Sequence, residues 1–177
     1  MKLQIFPSNS LKEVAKPVDI ESVDIDEFVA DAMDADFLRV AHRGAAIAAT
    51  QIGLSESWWV QSTDDGHGAV AVVNPSVSPI VSDGQSVMME GCLSLPGYYS
   101  KVKRWNRVRV VGHRVDLLNP NPSFEPMDEE WVGLDAQIAQ HEFDHLIGIL
   151  YTQLISSAER SRIQGAVRKA KINGKAN

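Results

Sequence analysis

The chain has 177 residues, 44% of them hydrophobic and 23% charged, which predicts one domain over 1–177 and leaves no run of about 18 apolar residues to span a membrane. One cysteine excludes an internal disulfide and predicts a reducing, cytoplasmic setting, and the start MKLQIFPSNS lacks the apolar stretch of a secretory signal. The net charge of -6 is unevenly spread. Residues 156–177 hold six bases against one acid, a net +5, which leaves -11 on the remainder, and so acidic a body argues against DNA as a partner.

In chain order, Ile25, Phe28, Val29, Ala32, Met33, Phe37, Val40 and Ala41 recur at helical spacing. They predict a helix from Ser22 or Asp24 to a stop near Gly44. Short β-rich pieces follow at Trp58–Val60, Ala69–Val73 and Val108–Val111. They are broken by the turn pairs Asn74-Pro75, Asp83-Gly84 and Pro96-Gly97, while Asn119–Ser123 reads as a loop joining two more strands. A second helix is predicted from about Leu134 to Leu150, with Leu134, Ile138, His141, His145 and Ile149 on one core-facing stripe. Ser156-Ser157-Ala158-Glu159 has the spacing of a capping box and opens a third helix. Its sparse apolar line, Ile163, Val167 and Ala170, suggests loose docking. A helix, many strands and two more helices predict an α+β fold, with short mixed or antiparallel sheets around the helix that carries the histidines.

That helix contains QHEFDHL, in which His141 and His145 flank Glu142 in an H-E-x-x-H pattern. Residues four apart project from the same face of a helix, so two imidazoles can grip one divalent ion while the glutamate serves as a base. A hydrolytic metal site usually takes three protein ligands. Three places compete for the third. Continuing along the helix nearly completes the metzincin spacing, but Tyr151 stands where a histidine is required. Glu159 would imitate zincins that use a downstream glutamate, although it already has a local part in the capping box. Cys92, preceded by Gly91 where a β-piece meets a loop, is the remaining candidate.

Three segments taken together carry a resemblance: Gly44-Ala45-Ala46-Ile47-Ala48-Ala49-Thr50-Gln51, Glu90-Gly91-Cys92-Leu93-Ser94 and QHEFDHL. In this order and at this spacing the chain resembles the peptide deformylase family. The likeness extends to Ile5-Phe6-Pro7, Lys16-Pro17-Val18, Asn74-Pro75, Leu95-Pro96-Gly97 and Val102-Lys103-Arg104, and so covers nearly the whole chain. The resemblance implies Cys92, His141 and His145 as metal ligands and Glu142 as the proton acceptor and donor. It also implies Gln51 and the Leu93 backbone N–H as donors to the oxyanion. The implied ion is ferrous iron, replaceable by nickel, cobalt or zinc. The implied substrate is the formyl-methionyl end of a nascent peptide, held along backbone near Gly44, Ala46 and Gly91 with Ile138 as a pocket wall. In bacterial members the C-terminal helix is implicated in docking near the ribosomal exit tunnel, which gives the basic tail a functional reading beside the plain one of a solvated basic helix.

One departure stands out. Where the family's first motif carries its second glycine, this chain has Ala46, preceded by Ala45 where many relatives carry a larger aliphatic residue. Alanine is harmless there if the backbone is extended, and obstructive if a positive φ is needed. Glu90 and Arg104 are expected to pair and fix the Cys92 loop. Tyr98, Tyr99, Trp105 and Trp131 read as packing or rim aromatics. Two rival readings share these residues: a zincin-type endopeptidase, and a metal-binding relative impaired by Ala46.

Overall fold

The computed structural model describes residues 1–63 and 68–172. The first helix, α1 (Ile25–Ala41), starts where the Asp24 carboxylate accepts from the backbone of Asp26 and Glu27 at 2.9 and 3.2 Å. It buries Phe28, Ala32, Ala35 and Arg39. Met33, Phe37 and Val40, which the spacing places on the buried line, are exposed instead. The small side chains Ala32 and Ala35 face the sheet, and Arg39 ends the helix by donating to the Gly44 carbonyl at 3.0 Å.

Strands β1 (Ala46–Ala48), β2 (Trp58–Ser62), β3 (Ala69–Pro79), β6 (Arg107–Asp116) and β7 (Glu125–Val132) form one antiparallel sheet in the order β1-β2-β3-β6-β7. Strands β4 (Gln85–Gly91) and β5 (Tyr99–Trp105) form a separate antiparallel pair. The period of two along each strand divides the core. Trp58 and Ile47 join a cluster with Phe28 of α1, whereas Trp59, Ala46 and Ala48 join a cluster with Ala136 and Ala139 of the second helix.

Asn74-Pro75, predicted as a turn, lies within β3. The strand bulges between Val73 and Ser76, with Asn74 at φ +50°, and the Asn74 amide both accepts from Val18 N and donates to Val18 O at 2.8 Å. The turn residues therefore deflect the strand without ending it.

The second helix, α2 (Gly133–Leu146), packs on β1, β3, β6 and β7. It ends four residues before the predicted Leu150, because Gly148 adopts φ +74° and lies so close to Lys12 that a Cβ would stand 2.6 Å from its carbonyl oxygen. Ile149 is thus off the helix, and Leu134 is exposed rather than core. A short 3-10 turn, Tyr151–Gln153, leads to α3 (Ser157–Ile172). Ser156 Oγ accepts from Glu159 N at 3.3 Å, but the Glu159 carboxylate takes the Ser100 hydroxyl at 2.9 Å instead of completing the capping box. The docking of α3 is firm rather than loose: Ile163 and Val167 are fully buried with Phe6, Leu95 and Cys92. Residues 173–177 of the basic tail, with Lys175, lie outside the described residues.

Candidate metal centre

The end of β4 and the middle of α2 meet over the open edge of β1. Cys92, one residue past β4, stands with its Sγ 3.2 Å from His145 Nε2. One donor atom from each of Cys92, His141 and His145 lies within 4.8 Å of the others. Glu159 is committed to Ser100 and Tyr151 carries no ligand atom of this group, so Cys92 is the residue that the fold brings to the two histidines.

The surroundings aim these donors. Glu90 Oε2 sits 2.9 Å from His141 Nδ1, which leaves Nε2 of that ring for the site. Arg104 grips Glu90 with two hydrogen bonds, Nε to Oε1 at 2.6 Å and Nη2 to Oε2 at 3.0 Å, so the expected pair is present. It also reaches Asp144 with Nη1 at 2.7 Å, a third connection that spacing did not reveal. Burial alone would raise the Glu90 carboxyl, but the hydrogen bonds from His141 and Arg104 outweigh it and hold it at about 2. Burial likewise disfavours a charged His141, yet hydrogen bonds to Cys92 and Glu90 lift its pKa well above the usual 6.5. Burial and the neighbouring His141 push His145 well below that value. The two rings are thus driven in opposite directions: charge is favoured on His141, beside Glu90 and Cys92, and disfavoured on His145, which is left neutral as a metal ligand requires.

Glu142 is 4% exposed, and its Oε2 has no hydrogen-bond partner. Burial pushes its pKa up to about 7, against the opposing pull of His141. A buried carboxylate oxygen without a partner is costly unless a ligand or water completes it. Gln51 is held rigidly: its Oε1 accepts from Ala48 N at 2.9 Å, and its Nε2 faces Cys92 Sγ at 3.3 Å and Ser94 Oγ at 3.2 Å. The donor set, the oriented imidazole and the free carboxylate oxygen all fit a divalent ion.

A cavity of about 360 Å³ opens onto this centre. Gly44, just before β1, Ala46 within it and Gln51 in the turn that follows line one side, and Gly91, Cys92 and Leu93 at the end of β4 line another. Ile138, His141 and Glu142 line it from α2, while His145 lies deeper, 1% exposed. Gly44 is closely approached: a Cβ there would stand 2.8 Å from Leu93 Cδ1, so the Leu93 side chain would have to shift. Ala46 is an ordinary strand residue paired with Gln61, and among the described residues the non-glycine positions of positive φ are Arg43 and Asn74. Sequence reasoning missed Leu134, Gln137 and Met89 at the cavity mouth, where Gln137 Nε2 donates to Met89 O at 3.0 Å. Leu134 lies on the stripe with Ile138 and His141 that the spacing assigns to the core, and Gln137 stands one turn before His141 on α2. Tyr98 and Tyr99 are rim residues as expected, and Trp131 is packing, edge-on to Trp59 at 6.4 Å.

A family model described as polypeptide deformylase matches residues 1–161. The chain belongs to the polypeptide deformylase family. Peptide deformylase 1 of Burkholderia multivorans is 36% identical over 165 residues, covering 93% of this chain and 85% of that one. The peptide deformylase of Thermotoga maritima is 34% identical over 160 residues, covering 90% and 89%. Among solved structures, the peptide deformylase of Legionella pneumophila superposes with a TM-score of 0.80 at 29% identity, covering 99% of this chain and 98% of that one. Deformylases are metal-dependent hydrolases that act on formylated nascent peptides, and the α+β fold agrees with theirs. Among the described residues, no helix is long and apolar enough to cross a membrane.

Proposed function

We propose that this chain removes the N-formyl group from formyl-methionine at the start of new polypeptides, releasing formate and a free amino terminus. The observation that carries the reading is the convergence of Cys92, His141 and His145 beside the unpartnered Glu142 Oε2. Those three residues would hold one divalent ion, ferrous iron by family and nickel, cobalt or zinc as substitutes. When bound, the ion supplies Lewis acidity and acidifies water at the site.

The chain's own groups do the rest. Glu142 Oε2 takes the proton of the attacking water and later delivers it to the leaving amine, and a pKa near 7 suits both duties. Gln51 Nε2 and the Leu93 N–H donate to the developing oxyanion; Gln51 is held in place through Ala48, and one of its Nε2 bonds, to Cys92 Sγ or Ser94 Oγ, gives way to the substrate. The free edge of β1 at Gly44 and Ala46, with Gly91 opposite, receives the peptide backbone as an added strand. Ile138 forms a wall for the methionine side chain. Catalysis is assigned to one cytoplasmic domain over residues 1–177, with the basic segment 156–177, which includes α3, approaching ribosomal RNA.

The test is formate release from a short formyl-methionyl peptide by anaerobically purified protein supplied with ferrous iron or nickel. The parent should release formate, and Glu142→Ala should be slower by about a hundredfold or more, the usual contribution of a general base. No formate from a fully metallated parent would overturn the reading. For the tail, charge reversal at Arg168, Lys169 and Lys171 should weaken co-sedimentation with ribosomes at low salt and leave peptide turnover unchanged. Undiminished co-sedimentation would remove the ribosome assignment.

A further inference from the structure

Tyr151 stands where a metzincin would place its third histidine, and the proposed mechanism gives it no part. We propose that Tyr151 is a positioning residue that fixes His141 with its ring and the loop from Cys92 to Tyr98 with its hydroxyl, so that ligand and substrate rim keep one spacing. The proposal rests on the assignment of Cys92, His141 and His145 as ligands.

Three observations converge on this residue. Its ring is 1% exposed and lies stacked on His141, with centroids 6.2 Å apart and an interplanar angle of 25°. Glu90 already restrains His141 through Nδ1, and His145 meets it edge-on at 4.9 Å, so Tyr151 closes the face that would let the ring tip. The Tyr151 hydroxyl donates to the Tyr98 carbonyl at 3.0 Å. Tyr98 lines the cavity, and it ends a chain of turns that begins at the ligand: Leu95 N donates to Cys92 O at 2.9 Å and Tyr98 N to Leu95 O at 3.3 Å.

The tyrosine is itself anchored. Gln153 accepts from Leu150 N at 3.1 Å on one side, and Thr152 accepts from Gln164 of α3 at 3.1 Å on the other. A phenylalanine would fill the same space, so filling alone does not account for the hydroxyl. Its single hydrogen bond goes to a carbonyl of the substrate rim rather than to the core.

The two functions separate in two variants, Tyr151→Phe and Tyr151→Leu, each loaded with Co2+. Visible absorption reports the thiolate and imidazole ligands without substrate, a chelator titration reports Co2+ affinity, and formyl-methionyl peptide turnover gives KM and kcat. Tyr151→Phe should keep the parent spectrum and affinity and raise KM about threefold to tenfold, the loss of one neutral hydrogen bond. Its kcat should stay within about twofold, because the end of the loop at Tyr98 is released while Cys92 and His141 stay in place. Tyr151→Leu should shift the spectrum and weaken Co2+ binding about tenfold, as removing a group that orients a ligand does. A purely structural role would lower the melting temperature without that division. The proposal is overturned if Tyr151→Phe leaves KM unchanged, and a Tyr151→Leu protein that fails to fold leaves that test standing. A parent with no Co2+–thiolate absorption would overturn the ligand assignment and this proposal with it. A parent that has the band, with both variants matching it in spectrum and KM, would overturn this proposal alone.

Discussion

At the scale of one residue, Ala46 shows how a motif departure is judged by backbone conformation. Its φ is ordinary, it pairs from β1 with Gln61 of β2, and its methyl joins the cluster that contains Ala139 and Ile138 of α2. Nothing at this position needs a glycine, so Ala46→Gly should not raise activity. Glycine in a strand loses more conformational freedom on folding, so the variant should be less stable by about 0.5–1 kcal/mol. Thermal unfolding and kcat/KM on a formyl peptide check both arms. A large gain in kcat/KM would show that the methyl obstructs the site. Gly44 is the tighter case, because a Cβ there would crowd the Leu93 side chain and oblige it to move. The motif letters did not distinguish these positions. The distinction lies in strand pairing and in a contact between residues 49 positions apart, neither of which local spacing encodes.

At the scale of elements, the centre depends on how β4, β5 and α2 are tied together, and Arg104 is the tie. It leaves β5 to hold Glu90 on β4 and Asp144 on α2, and the first two are almost wholly buried. Removing one member of a buried ion pair strands the other, so Arg104→Ala should cost about 3–5 kcal/mol of folding stability. The pH dependence follows from Glu90. Its folded pKa of about 2 lies below the ordinary 4.5, so the stabilisation is fully present above 4.5 and is lost as pH falls toward 2. In chelator-treated protein, the stability gap between parent and Arg104→Ala should therefore be widest near neutrality and shrink below pH 4.5. Denaturant unfolding at several pH values measures it, and a gap independent of pH would exclude Glu90 as the cause. The Glu90–Arg104 pair was legible from the sequence, as were the start of α1 and the placing of both histidines on one helical face. The end of α2 was not, because Gly148 meets the N-terminal segment at Lys12 and the helical pattern continues past it. Nor was the exposed side of α1, where Met33, Phe37 and Val40 match the helical period but the sheet accepts the smaller Ala32 and Ala35.

For the whole molecule, the donor residues come from parts that the fold otherwise stabilises separately. Cys92 belongs to the cluster built from Phe6, Leu95, Ile163 and Val167, which joins the N-terminal segment to α3. His141 and His145 ride on α2, whose Ala136, Ala139 and Leu146 pack against the five-stranded sheet. An ion held by all three would link the two clusters, and because it binds only the folded chain it would stabilise by mass action. At a free concentration a hundred times its Kd that amounts to about 2.7 kcal/mol. In a chain of this size the melting temperature should rise by about 5–10 °C. Adding nickel to chelator-treated parent should produce this rise. Glu142→Ala should show it too, because Glu142 is assigned to proton transfer and not to the metal. Cys92→Ser should lose most of it, since without the thiolate the ion no longer joins the β4 loop to α2. The three melting curves thus separate a metal that organises the molecule from one that merely visits two histidines. An equal rise in Cys92→Ser would remove the cysteine from the ligand set, and with it the link between the clusters.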